Sequence, residues 1–304
     1  MENYKEIKKL AKRIRLDVLK MLVNLGFGHF GGSLSVVETL AVLYGAVMKV
    51  DPKNPDWEGR DYMVLSKGHA GPALYSTLAI KGFFEEAELM TLNINGTHLP
   101  SHPDRLLTKG VDATTGSLGQ GISIAAGIAL AERLSGKENR VFSIVGDGEL
   151  NEGQCWEAFQ FIAHHNLNNL VTFVDYNKQQ LDGTLEEIIR PFSFVEKFNA
   201  FGFEAVQVKG DDIEGIYNLL KDKRNESQKP LVVILDSKKG QGVKYIEDLK
   251  NSHHLRLTDE IKIEIEKAIA TEQQKLIEDA VAVFNSHDLR DFIVDIRKKY
   301  DQII

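Results

Sequence analysis

Between residues 61 and 236 the chain alternates between short apolar runs and longer stretches of helical periodicity. Segments 61–66 (DYMVLS), 140–145 (RVFSIV), 170–175 (LVTFVD), 203–209 (FEAVQVK) and 231–236 (LVVILD) read as strands. Three of them are almost wholly apolar, as strands covered on both faces must be. Helical stretches lie near 70–81, 119–134, 152–166, 193–200 and 211–224. This alternation implies an α/β fold, a parallel sheet flanked by helices with right-handed crossovers.

Both ends read as helix. Near the N-terminus, Ile7, Leu10, Ala11, Ile14, Val18, Met21, Leu22 and Leu25 recur at the 3–4 spacing of one helix face, and Gly26 supplies the stop. A glycine-rich loop, GFGHFGGS, follows. Ser35 with Glu38 three residues on has the pattern of a capping box and predicts the next helix start. After Gly242 the chain holds neither Gly nor Pro, so long helices are expected there, with Thr258 as N-cap and Asp259 and Glu260 in the first turn. The organisation expected is an α/β domain over 1–257 and a helical C-terminal extension over 258–304.

Composition removes several function classes. A chain of 304 residues, 43% hydrophobic and 27% charged, can bury a full core. Its 37 Lys and Arg against 44 Asp and Glu leave a net charge of -7, which argues against nucleic-acid binding. Cys155 is the single cysteine, so a disulfide scaffold is excluded. No run of about 18 consecutive apolar residues suggests a membrane span, and MENYKEIKKLAKRIR lacks the apolar core of a signal peptide. A cytoplasmic protein is the resulting expectation. Gly26 to Gly31 matches G-x-G-x-x-G with Asp51 downstream, but a dinucleotide fingerprint needs a strand before the glycines and a helix stands there. The adjacent His164 and His165 would point about 100° apart on a helix and make a poor zinc pair.

The strongest local signal is Gly146-Asp147-Gly148 directly after the strand RVFSIV. Glycines on both sides allow a sharp turn at the end of a parallel strand, where ligands of open α/β sheets bind. The helix after Glu152 is expected to aim its N-terminus at this turn, which favours phosphate. The next strand delivers Tyr176-Asn177-Lys178 at its own end, so Asp147 and Asn177 can meet above two strand ends. A carboxylate, an amide oxygen, a backbone carbonyl and two phosphate oxygens suit Mg²⁺. His29, His69, His102 and the pair His253–His254 all lie in loops beside Gly, Pro or one another. Together they suggest a polar site that moves protons near neutral pH.

The strings GHFGGSLS, DYMVLSKGHAGPALYSTLA, LPSHPD, GVDATTGSLGQGISIAAGIALA, VGDGELNEGQCWEA, VDYNKQQLDG and KKGQGV resemble the N-terminal, diphosphate-binding half of transketolase. They run in family order from about residue 10 to about residue 255. The resemblance implies the thiamine diphosphate-binding fold and an enzyme that moves a two-carbon ketol unit between sugar phosphates or related anionic sugars. It further implies Asp147, Asn177 and the Gln179 carbonyl as Mg²⁺ ligands and Gly148 as a backbone donor to the diphosphate, with His69 and Lys239 as further diphosphate contacts. Gly116 and Leu118 match a strip along the cofactor's rings, and Leu181 a wall beside the thiazolium. Glu152 resembles the acidic residue linking two active sites across the dimer. His29, His102 and His253 resemble the donor-sugar histidines, with His254 the alternative to His253, and His253 also counts among the cofactor contacts.

Three residues depart from the family pattern. Phe30 stands where Pro is usual, His98 where Arg is frequent, and His254 where Gly follows the loop histidine. The residues after 258 are too few for the family's pyrimidine-binding domain, which carries the catalytic glutamate. The expectation is therefore one subunit of a split transketolase. A second subunit would bring that domain and glutamate, in a two-plus-two heterotetramer. The alternatives are a subunit of another thiamine diphosphate enzyme, of the 2-oxo acid dehydrogenase alpha or deoxyxylulose-phosphate synthase type, or a non-catalytic module. The SKGH and LPSHPD loops favour a sugar site, and Asp147, Asn177 and the loop histidines argue against a module without activity.

Overall fold

The computed structural model describes residues 2–222 and 228–284. The chain opens with α1 (Glu2–Leu25), β1 (Phe27–Gly28), α2 (Phe30–Leu34) and α3 (Val37–Val42). It continues through β2 (Tyr62–Leu65), α4 (Gly71–Ile80), α5 (Gln120–Leu134), β3 (Val141–Gly146), α6 (Gly153–His164) and β4 (Leu170–Tyr176). The last third holds α7 (Leu185–Ile188), α8 (Phe194–Ala200), β5 (Glu204–Lys209), α9 (Ile213–Asp222), β6 (Leu231–Asp236), α10 (Lys244–Glu247), β7 (Leu255–Arg256) and α11 (Asp259–Phe284). The five strands expected from sequence form one parallel sheet in the order β2-β3-β4-β6-β5.

Side chains alternate across a strand, so each one feeds two cores. Phe142 and Ile144 of β3, Phe173 of β4 and Val233 of β6 pack with Ile14 and Val18 of α1 and Leu40 of α3. Val141 and Val145, Val174, and Val232 and Ile234 face the other way, onto Ile122 of α5 and Phe159 and Ile162 of α6. Each of these fully buried side chains contributes about 2 kcal/mol of apolar burial. The stretch Phe30–Val47 is long and apolar enough to cross a membrane, yet 89% of it is buried within this fold. It breaks into α2, α3 and a wider turn at Leu43–Val47, against α1 and α4.

The predicted capping box does not form. Ser35 donates to Asp175 Oδ2 at 2.6 Å and to the Gly32 carbonyl at 3.3 Å. Glu38 is buried against Arg15 and accepts from Gln241 Nε2 at 2.9 Å. Both side chains serve buried polar networks, and the helix starts one residue later, after Val36. The glycine-rich stretch expected as a loop is likewise partly regular, as β1 and α2.

The C-terminal stretch is one long helix as far as Phe284; the rest of the predicted extension, 285–304, lies outside the described residues, as does the end of the helix expected over 211–224. Helix α11 folds back along α1. Ile265 is fully buried, Lys12 pairs with Asp279 at 2.6 Å, and buried Arg15 lies 3.8 Å from Glu272. Thr258 caps the helix, accepting from the Ile261 N–H at 3.3 Å. Thr258→Ala is expected to cost about 1 kcal/mol and about 2 °C in thermal denaturation. An unchanged melting point would mean that water caps α11 equally well.

Candidate active site

Parallel strands end on one side of the sheet, and the polar loops gather there. Strand β2 leads into Lys67 and His69, β3 into Asp147 and Gly148, β4 into Asn177 and Gln179, and β6 into Ser237 and Lys239. The remaining histidines arrive by a second device. Strands β1 and β7 pair antiparallel, with Phe27 opposite Arg256 and Gly28 opposite Leu255. Two backbone bonds extend the clamp, Leu257 N–H to Gly26 O and Gly31 N–H to Ser252 O, each 2.9 Å. The His29 loop is thereby fastened to the His253–His254 loop.

The result is a cluster around the His29 ring. Ring centres lie 5.3 Å away at His69, 6.0 Å at His102, 5.3 Å at His253 and 4.8 Å at His254. His69 and His253 are 5.0 Å apart. Gly116 supports the His102 side: its φ is +145°, and a Cβ there would sit 3.2 Å from the His102 ring. Burial, joined by His254, lowers the His29 pKa to about 4. Burial and then Lys239 lower His253 to about 3. Burial pushes His69 well down, with Lys67 next, and also lowers His102. Near neutral pH these four rings are uncharged, so each carries one N–H donor and one acceptor lone pair.

Beside the cluster lies a set of oxygens. Asp147 is buried, and its carboxylate accepts the Gly148 N–H at 2.8 Å and the Lys178 N–H at 2.6 Å. Asn177 Nδ2 donates to Asp175 Oδ2 at 2.9 Å. A carboxylate can only accept, so the Asn177 amide oxygen is turned the other way, where it accepts the Gln179 N–H at 3.1 Å. The Gln179 carbonyl accepts Lys239 Nζ at 3.0 Å, and the same Nζ lies 3.1 Å from His253 Nδ1. Lys239 therefore joins the oxygen set to the histidine cluster. Gly148 fits tightly, since a Cβ on it would fall 2.8 Å from Gln180.

The donor set matches a hard dication and an anion together. Among the described residues no group of three His, Cys, Asp or Glu side chains is placed to hold a metal; the oxygens around Asp147 are of the hard kind that Mg²⁺ takes. Asp147 is a buried carboxylate without a side-chain cation in ion-pair reach among the described residues. Burial and then Asp175 raise its pKa to about 7. A divalent ion beside it would supply the missing counter-charge. Lys239 shows the converse: burial and then Lys67 lower its pKa to about 8, as befits a cation awaiting an anion.

The other predicted residues sit around this centre. Leu118 is half-buried, and its carbonyl accepts from Gln154 Nε2 at 3.1 Å. Glu152 is exposed at the start of α6, behind a tight turn at Glu149–Asn151. Leu181 is 57% exposed. Of the departures, Phe30 is fully buried in the core and His98 is exposed.

Sequence reasoning missed three buried charges. Lys67 is 1% exposed; its Nζ donates to the Gly32 carbonyl at 2.8 Å and to Asp175 at 2.5 Å. Asp175 is fully buried beneath Asn177. Glu149 accepts from Ser66 Oγ at 2.5 Å and from the backbone N–H groups of Gly119 at 2.8 Å and Gly146 at 3.0 Å. It ties the ends of β2 and β3 to the start of α5. For Lys67 and Asp175 a charge at the end of an apolar strand was the available signal; Glu149, three residues past β3, offered none.

Residues 7–291 match the family described as "Transketolase, thiamine diphosphate binding domain". The 6-deoxy-6-sulfo-D-fructose transketolase subunit SqwG of Clostridium sp. (strain MSTE9) is 45% identical over 251 residues, 83% of this chain and 91% of that protein. One of the subunits of the apulose-4-phosphate transketolase of Actinobacillus succinogenes is 37% identical over 267 residues, 87% of this chain and 96% of that protein. Among solved structures, transketolase from Campylobacter jejuni superposes with a TM-score of 0.78 at 27% identity, covering 96% of this chain and 50% of its own.

Proposed function

The chain belongs to the N-terminal, thiamine diphosphate-binding family of transketolases, and from that premise we propose how its residues divide the work. It is the N-terminal subunit of a split transketolase, a transferase of ketol groups. Thiamine diphosphate, when bound, supplies the carbon nucleophile that carries a two-carbon ketol unit between sugars.

Asp147, the Asn177 amide oxygen and the Gln179 carbonyl would hold Mg²⁺. His69 and Lys239 would meet the diphosphate, with the Gly148 N–H exchanging its present bond to Asp147 for one to the ligand. Gly116 and Leu118 would line the cofactor's rings, and Leu181 the thiazolium. Glu152 would link two active sites across the assembly. His29 and His102 would grip the donor sugar, since an uncharged ring can take a hydroxyl proton and return it, and His253, whose Nδ1 is taken by Lys239, would offer the donor only its remaining N–H. The second subunit would carry the pyrimidine-binding domain and its glutamate, in a two-plus-two heterotetramer. We read residues 1–257 as the diphosphate-binding domain and those from 258 as the helical extension. The donor is a ketose with an anionic terminus, a sulfonated one first, on the strength of the 45% identity to a sulfosugar transketolase subunit.

The observation that carries this reading is Lys239, whose one ammonium bridges the Gln179 carbonyl and the His253 ring. Native mass spectrometry with Mg²⁺ and thiamine diphosphate should find the chain with equal copies of a second protein. Ketol transfer by the chain alone should be about 10³-fold or more below that of the pair, the scale of a missing acid–base group. Full activity of the chain alone would remove the reading as half of a split enzyme. A faster reaction with fructose 6-phosphate than with 6-deoxy-6-sulfofructose would move the donor to the phosphates.

A further inference from the structure

The two adjacent histidines after Ser252 are not equivalent. In the β1–β7 ladder Phe27 faces Arg256 and Gly28 faces Leu255. Continuing that register one step places His29 opposite His254. Directly opposed residues of an antiparallel pair bring their side chains together. The rings of His29 and His254 are accordingly 4.8 Å apart, and Phe27, two residues along, packs on His254 at 5.8 Å.

His253 faces elsewhere. Its Nδ1 is 3.1 Å from Lys239 Nζ, and its ring lies 5.0 Å from His69. An ammonium group has only donors, so Nδ1 must give its lone pair to Lys239 and the ring proton resides on Nε2. His253 then has one donor left and no acceptor for a sugar. Among the described residues no hydrogen bond engages the His254 ring, and the residue is exposed. It keeps both a donor and an acceptor at the open side of His29.

We propose that His254 is a specificity-determining residue that reads hydroxyl groups of the ketose donor together with His29, while His253 is committed to the diphosphate side through Lys239. The proposal rests on the assignment of Lys239 to the diphosphate. In the family that the sequence resembles, the position of His254 carries Gly, so this chain adds a ring to a wall that lacks one there.

The test uses the complex reconstituted with its second subunit. Thiamine diphosphate affinity is measured by calorimetric titration in Mg²⁺, and KM and kcat are measured for 6-deoxy-6-sulfofructose and fructose 6-phosphate. His254→Ala and His254→Gly should raise donor KM about 10-fold, the scale of one or two lost hydrogen bonds. Their cofactor affinity should stay within about twofold of the parent. His253→Ala should instead weaken cofactor affinity about 10-fold. Unchanged donor KM in both His254 variants, or cofactor affinity weakened as much as by His253→Ala, would overturn the proposal. Lys239→Ala separates the two levels: if it leaves cofactor affinity intact, the underlying assignment is what fails.

Discussion

Asp147→Asn is expected to leave the fold intact and to cost the chain about 100-fold or more of its Mg²⁺-dependent affinity for thiamine diphosphate. That is at least the top of the range seen when residues merely supporting a metal are removed. The substitution keeps the shape of a side chain that is 3% exposed and withdraws its negative charge. Calorimetric titration with and without Mg²⁺ reads the loss, and equal affinities in the two proteins would remove Asp147 from the metal site. The same substitution has a second signature without ligand. Folding raises the Asp147 pKa from 3.8 to about 7, by burial first and Asp175 second. The folded chain therefore holds this proton more tightly than the unfolded chain. The associated stability is complete below about pH 4 and is lost as pH rises through about 7. His29 and His253, lowered from 6.5 to about 4 and about 3, run the other way over much of that range. The stability difference between the parent and Asp147→Asn isolates the carboxyl, and it should shift in favour of the variant as pH rises from 4 to 7. Mg²⁺ with thiamine diphosphate should reverse that advantage at pH 7.

The sheet was legible because its central strands β3, β4 and β6 are buried on both faces, and residues such as Phe142, Val145, Val233 and Ile234 belong to nearly continuous apolar runs. Asp147 and Asn177 were legible because they sit where such runs stop. The clamp that completes the histidine cluster was not. Strands β1 and β7 are two residues each, far apart in sequence, and two residues carry no periodicity. Ser35 and Glu38 show the opposite error. They fit a local rule, but buried partners at Asp175, Arg15 and Gln241 outweigh the modest contribution of a cap. By residue type alone Lys67 reads as surface, and only the packing shows it 1% exposed. The alternative of a 2-oxo acid dehydrogenase or deoxyxylulose-phosphate synthase component gives way to relatives named as transketolase subunits and matched over nearly their whole length.

Lys67→Met should destabilise the chain by about 3–5 kcal/mol, the cost of leaving a buried charge uncompensated. Asp175 collects four donors: Lys67 Nζ at 2.5 Å, Ser35 Oγ at 2.6 Å, Ser237 Oγ at 2.5 Å and Asn177 Nδ2 at 2.9 Å. These arrive from the α2–α3 junction and from the ends of β2, β6 and β4, so one carboxylate joins the floor of the site across the sheet. Burial alone would raise its pKa, but Lys67 and the hydroxyl donors pull it below 3.8. Its contribution is therefore present above about pH 4 and lost on further acidification. Methionine nearly matches the lysine stem in volume, so the loss in Lys67→Met is electrostatic rather than a cavity. The double variant Lys67→Met/Asp175→Asn removes both charges and should recover a large part of the loss in urea denaturation. Asp175→Asn alone closes the cycle, and single losses that simply add in the double variant would show that the pair is not coupled. Because Asp175 also aims the Asn177 amide, Lys67→Met should weaken Mg²⁺-dependent cofactor binding even where the protein remains folded. A plain loss of stability would leave the affinity of the folded fraction untouched. That difference separates a structural strut from one that also sets the metal ligands, and the bond from Asn177 to Asp175 places this strut in the second class.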